Sequence, residues 1–298
     1  MGKMAYITDI SHFFMEKSKD IKVFMLCYEK KEFDFLDDAV VTPLQVGAAR
    51  SGLDVCELKD NTGDNISGKN YFYIENTGIY WIWKNVKDAK YKGQMQYRRR
   101  LDGIDENFDF DKIFEEYEVI TMEPYNYPAN SKPKFAGDMY IPAKTVEAGY
   151  KFSNSGYDIQ RLEAIIKQFH PEYAKSYDKY IKNGEDLYYS NGFIMKSEDY
   201  DNYCQFLFKV LGEFERNFGI VDERALWFHV GRDLGNGGFS KEKLGSNVMS
   251  IEPKNMWWQM AIGGFLSERI FTLWLLHNFR RDEIFITPYK KMENGMWI

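Results

Sequence analysis

Arg98, Arg99 and Arg100 follow directly on the segment Tyr91 to Tyr97, YKGQMQY. That segment reads as a β-strand, and open α/β sheets bind ligands beyond the carboxyl ends of their strands. Guanidinium groups there offer planar, forked donors that match phosphate oxygens. A solvated basic turn is the other reading of three adjacent arginines. The strand end and the neighbouring Tyr97 weigh for anion binding by Arg98 and Arg99. A second cluster, Asp60-Asn61-Thr62-Gly63-Asp64-Asn65, places carboxylates and amides just before a helical stretch. A helix N-terminus repels cations. Asp60, Asp64 and Asn65 therefore suit the hydroxyls of a ribose or sugar better than a metal, unless the turn merely caps the helix. Asn191-Gly192 lies inside the strand-like run Tyr188 to Lys196. Glycine in a strand marks close approach of a ligand or a β-bulge.

Two isolated carboxylates could move a proton. Asp138 follows a proline-rich loop beside Gly137, and Glu268 interrupts an otherwise apolar helix next to Arg269. Loops on a rigid scaffold often carry catalytic groups, which ranks Asp138 as base and Glu268 as a substrate or arginine anchor. The alternative for Glu268 is a plain ion pair. His170 precedes a proline and reads as a helix cap. The three cysteines and four histidines match no zinc spacing, and the chain reads as reduced and intracellular.

The elements that must position these residues follow from periodicity. Ile21 to Cys27, IKVFMLC, is an apolar run ending in Tyr28 and reads as a buried first strand. Thr42-Pro43-Leu44 reads as loop. A helix is expected over about 69–87, opened by Ser67. Ile79, Ile82 and Trp83 face its core side, and Tyr80 or Trp81 faces a pocket. Tyr117 to Thr121 reads as a strand and Met122 to Pro142 as a long loop. Helices are expected from Asp158, from Pro171, from Ser197 to Phe218, and over Gly264 to Asn278, before a strand at Glu283 to Thr287. Residues 231–254, rich in Gly, Lys and Asn, read as a flexible excursion. Alternating strands and helices without an internal repeat predict an α/β fold with a central, mostly parallel sheet flanked by helices.

The bulk numbers exclude several classes. A net charge of −6 argues against a nucleic-acid partner. No signal peptide is visible, and no window of about 18 residues is apolar enough to span a membrane. Aromatic residues make up 17% of the chain. Most are core, and the rest can stack on sugar rings.

The motifs resemble, in order and spacing, a bacterial family encoded in capsule and exopolysaccharide gene clusters, long labelled a domain of unknown function and treated as glycosyltransferase-like. The matching stretches are DNTGDNIS at 60–67, IENTGIYWIWKN at 74–85, YKGQMQYRRR at 91–100, YYSNGFIM at 188–195, YCQFLFKVLGEFE at 203–215 and GFLSERIFTLWL at 264–275. The similarity runs from about 21 to 278. The family has His-Tyr-Arg-Arg where this chain has Gln96 before Tyr97, which removes a proton-transfer role from that position. The resemblance implies a single GT-A-like domain over 1–298. Residues 21–125 would hold a nucleotide-sugar donor, UDP first, and residues 126–298 would face a lipid-linked oligosaccharide acceptor.

It further implies hexosyl transfer, with galactofuranose as the sugar suggested by relatives, on the cytoplasmic side and in peripheral contact with the inner face of the plasma membrane. GT-A enzymes commonly hold Mn²⁺ or Mg²⁺ with an Asp-x-Asp pair at a strand end. Here Tyr97-Arg98-Arg99 stands there, so the expectation is metal-independent catalysis, with a Mn or Mg site using Asp60 and Asp64 as the alternative. The expected donor-binding set is Tyr28, Asp60, Asp64, Asn65, Tyr97, Arg98, Arg99, Asn191 and Gly192. A non-catalytic nucleotide- or carbohydrate-binding partner of the same pathway is the rival reading.

Overall fold

The computed structural model describes residues 20–29, 40–129, 143–238, 259–293 and 296–297. Strand β1 (Ile21–Cys27) is buried along its whole length. Its side chains alternate between two apolar clusters, Phe24 and Leu26 in one and Val23, Met25 and Cys27 in the other. Both faces of the strand are therefore covered, which explains its continuous apolar sequence. β2 (Val41–Gln45) and β3 (Tyr91–Gln96) flank it in parallel, with Val23 opposite Val41 and Ile21 opposite Tyr91. β4 (Arg99–Leu101) leaves the main sheet, and β5 (Val119–Met122), β6 (Phe193–Lys196) and β7 (Ile284–Thr287) complete it. The six strands run β2-β1-β3-β6-β5-β7. Within this sheet β6 alone is antiparallel to its neighbours. This is the α/β architecture expected from the sequence, and the two strands at 21–27 and 91–96 are adjacent in it.

β2 corrects the reading of Thr42-Pro43-Leu44 as loop. β2 lies at the sheet edge, where a strand needs ladder bonds on one side only and Pro43 is tolerated. The helices include α1 (Asn76–Asn85), α2 (Phe110–Glu116), α3 (Gly156–Phe169), α4 (Ser197–Asn217), α5 (Glu223–Gly235) and α6 (Ile262–Asn278). α4 behaves as its sequence demands. Tyr200, Tyr203, Cys204, Leu207, Val210, Leu211 and Phe214 are buried on one stripe, and Gly219 at φ 67° lets the chain leave the helix. α3 is capped by Ser155, one turn earlier than Asp158, because the Ser155 side chain accepts the Tyr157 N–H.

Two expected elements differ in ways that matter for the site. The helix over 69–87 is broken. A short turn, Asn70–Tyr73, ends at Ile74 with φ 52° and ψ −127°, and α1 restarts after Glu75. The N-terminus of α6 packs on the broken segment. Gly263 packs so tightly there that a Cβ would lie 2.3 Å from the Phe72 carbonyl oxygen. Ile79, Trp81 and Ile82 are fully buried. Trp83 is half-buried and stacks on Phe208 with ring centroids 5.7 Å apart. The excursion expected from Gly231 begins instead as the last turn of α5, which Asp222 caps at its other end. Residues 239–254 of that stretch lie outside the described residues. Among the described residues no helix is long and apolar enough to cross a membrane.

Candidate functional site

A cavity of about 280 Å³ opens where β1 and β3 end, lined among others by Tyr28, Glu75, Gln96, Tyr97, Arg98, Arg99, Phe265 and Glu268. The tight turn after β3 presents Tyr97 and Arg98 to it before β4 begins at Arg99. Tyr97 meets Tyr28 edge to face at 6.3 Å, and its hydroxyl accepts from Arg98 Nε at 2.6 Å. Arg99 lies over the Tyr189 ring at 4.8 Å. Its Nη1 donates to Ser190 Oγ at 2.9 Å, and its buried Nε has no hydrogen-bond partner among the described residues. A buried donor left open at a cavity wall is costly, and an anion there would satisfy it. Arg100 turns away, donating to the Ile104 carbonyl.

Two carboxylates share this cavity. Glu268, on α6, accepts the Ser190 N–H at 2.9 Å with Oε1 and Arg269 Nη1 at 2.7 Å with Oε2. Glu75 sits in the chain break before α1 and is only 7% exposed. Its Oε1 accepts from Gln96 Nε2 and Asn191 Nδ2, each at 3.1 Å. Burial above all, with the neighbouring Glu268 charge, pushes the Glu75 carboxyl up to about 7, against the opposing pull of its own backbone N–H and of the Asn191 and Gln96 amides. Burial, then Glu75, holds the Tyr28 phenol well above its usual range. The segment that carries these partners is itself bent. Ser190 and Asn191 have φ of 64° and 46°, conformations uncommon for residues with a Cβ.

The structure thus brings Tyr28, Tyr97, Arg98, Arg99 and Glu268 to one cavity. Asn191 stands behind that wall, also donating to Ser267 Oγ at 2.8 Å. Gly192 supplies a carbonyl to Thr121 Oγ1 at 2.8 Å and does not line the cavity. The acidic turn is built differently from the expectation. Asp60 is fully buried, accepting from the Gly47 and Ala48 N–H groups and from Ser67 Oγ. It pins the loop after β2, and both its oxygens are committed. Asp64 accepts from the Tyr80 hydroxyl, and Asn65 Oδ1 accepts the Ser67 N–H. None of the three lines the cavity. Nor do Tyr80 and Trp81; the Trp81 indole N–H is spent on Thr62 inside the core. Asp138 lies outside the described residues. Replacing Asp60 by Asn should cost about 1–3 kcal/mol of stability, because an amide cannot accept from all three donors. Urea denaturation reads the loss.

Sequence reasoning missed Glu75 and Ser190. The one available signal was a carboxylate at the head of the aromatic block IENTG, in a stretch that reads as uninterrupted helix. The described residues around the cavity do not fit a divalent cation. Glu75 and Glu268 are already held by donors, and two guanidinium groups share the space. Asp158, His229 and Asp233 are buried close enough together to hold an ion. Arg161 Nη1 takes that place, near Asp158 at 2.9 Å, His229 Nε2 at 3.1 Å and Asp233.

The family model for a domain of unknown function (DUF4422) matches residues 22–226. A solved apo structure described as the WbbM bifunctional glycosyltransferase superposes with a TM-score of 0.64 over 92% of this chain at 23% identity. The chain spans 46% of that protein's length, and the likeness is one of fold. No curated protein matches the chain.

Proposed function

The chain belongs to the DUF4422 family, and on that premise, with the cavity just described, we propose that it is a glycosyltransferase. It moves a hexosyl unit, galactofuranose first, from a UDP donor to a hydroxyl of a lipid-linked oligosaccharide in capsule or exopolysaccharide assembly. One observation carries the reading. Arg98 and Arg99 stand in the same cavity as two carboxylates, at the carboxyl ends of β1 and β3. The arginines neutralise the charge that develops on the departing diphosphate, which is usually the largest catalytic term. Tyr28 and Tyr97 supply faces for a base or sugar ring. The fold shared with a glycosyltransferase supports the same assignment. Metal independence belongs to the proposal, because the arginines do the work of a cation. So does peripheral contact with the inner membrane face. It is supported by α5, which turns Phe228, 62% exposed, outward beside Arg224 and Arg232.

A panel of nucleotide sugars tests the reading. The cognate donor at 100 times its Kd should add about 2.7 kcal/mol of apparent stability. With acceptor present it should release UDP, and EDTA should leave that release intact. Loss of activity in EDTA with recovery in Mn²⁺ would return the assignment to a carboxylate-held metal. A donor that binds and is never split would make the chain a binding partner of the pathway.

A further inference from the structure

The two cavity carboxylates are bonded in opposite ways, and that difference divides their roles. We propose that Glu75 is the general base that takes the proton of the acceptor hydroxyl, and that Glu268 is a positioning residue. The inference rests on the glycosyltransferase reading.

Glu268 is tied on both oxygens, one to a backbone N–H and one to Arg269. Arg269 is itself buried, stacks over Tyr150 at 5.0 Å and donates to the Phe265 carbonyl. Both Glu268 oxygens are thus committed to donors within the protein, one of them cationic. Its bond to Ser190 instead helps hold the bend that carries Asn191 and the hydroxyl under Arg99.

Glu75 is held by neutral donors, the Gln96 and Asn191 amides on Oε1 and its own backbone N–H. They orient the carboxylate and leave its charge uncancelled. Its Oε2 faces Gly264, where a Cβ would come to 3.0 Å. Glycine at that position keeps the oxygen unobstructed. The chain reaches this placement through Ile74 at φ 52°, a costly conformation for a β-branched residue. The groups facing Glu75 are Glu268 on α6, Tyr28 after β1 and Tyr203 on α4. Both phenols are held neutral by burial, and Arg98 and Arg99 are the cations lining the same cavity.

In the step, Glu75 takes the proton from the acceptor O–H. The acceptor oxygen bonds to the anomeric carbon. The bond from that carbon to the diphosphate oxygen breaks, and its electron pair leaves with UDP toward Arg98 and Arg99. A single displacement of this kind inverts the anomeric centre.

The experiment measures UDP release and product anomer for wild type, Glu75→Gln, Glu75→Asp, Glu268→Gln and Asp138→Asn across pH 5 to 9. Wild-type kcat/KM should rise with pH through about 7, since the ionised form is active. Glu75→Gln should lose about 10²- to 10⁴-fold in kcat/KM, with UDP affinity within about threefold and the rising limb gone. Glu75→Asp should retain part of the activity and the limb. Glu268→Gln should keep the limb and change mainly KM or stability. The inference fails if Glu75→Gln turns over near the wild-type rate while still folded, or if Asp138→Asn alone abolishes transfer. UDP affinity lost in Glu75→Gln along with activity would make it a binding residue and overturn the base assignment. A wild-type protein that splits no donor overturns the underlying reading and this inference with it.

Discussion

Replacing Arg99 by alanine is expected to weaken UDP binding roughly 10- to 100-fold while the fold stays intact. Charge-assisted hydrogen bonds are worth about 1.5–3 kcal/mol each, and Arg99 is set to make them. Tyr189 supports its plane, Ser190 Oγ fixes one nitrogen, and its buried Nε has no partner among the described residues. Such pre-organisation lowers the entropy lost on binding. Arg98 is exposed and leans on its own neighbour, Tyr97, so Arg98→Ala should cost less than Arg99→Ala. Arg99→Lys should recover only part of the loss, because an ammonium is a point charge without the fork. Arg100 is the internal control. It sits opposite Lys290 in a separate small sheet and donates to Ile104, so Arg100→Ala should leave the affinity as it was. Calorimetric titration with UDP reads all four variants. Equal losses at Arg99 and Arg100 would mean a diffuse basic surface in place of a built subsite.

Glu75→Gln should make the protein more stable at pH 8, by about 3 kcal/mol, and change little at pH 4. The folded protein holds the Glu75 proton up to about pH 7, whereas the ordinary value is 4.5. Between those two values the folded state binds more protons than the unfolded one. Wild-type stability contributed by this residue therefore falls as pH rises from 4.5 to 7 and levels off above. A glutamine has no charge to bury and escapes that loss. Urea denaturation of both proteins at several pH values measures the difference. A pH-independent gap would show that burial does not disfavour the ionised Glu75 carboxylate. Gain of stability with loss of turnover is the pattern expected where a strained site serves function.

Much of this was legible in the chain because it is written locally. Apart from Lys22, the IKVFMLC run has no polar position to show to solvent, so it reads as a strand covered on both faces. The α4 stripe repeats every three to four residues and stops at Gly219. The arginines after YKGQMQY follow a strand directly, and chain geometry alone puts them at its carboxyl end. Tyr28 follows from the same rule applied to β1. Asp60 shows the limit of composition. A carboxylate in an Asx-rich turn looks the same in sequence whether it meets a ligand or accepts three donors from its own loop.

What only the tertiary structure decided is which carboxylate faces the cavity held by neutral donors. By sequence, IENTGIYWIWKN continues the helix before it, and Glu75 would be one more polar residue on a helix. Gly263 and Gly264, nearly 190 positions later, pack closely on residues 72–75, where the helix breaks at Ile74 and Glu75 faces the cavity. Gln96 and Asn191, from two further strands' ends, then hold it there. No local period records a contact between distant glycines and a backbone carbonyl. Propensity and patterning therefore place the elements and the arginines, and long-range packing selects the residue suited to take the proton.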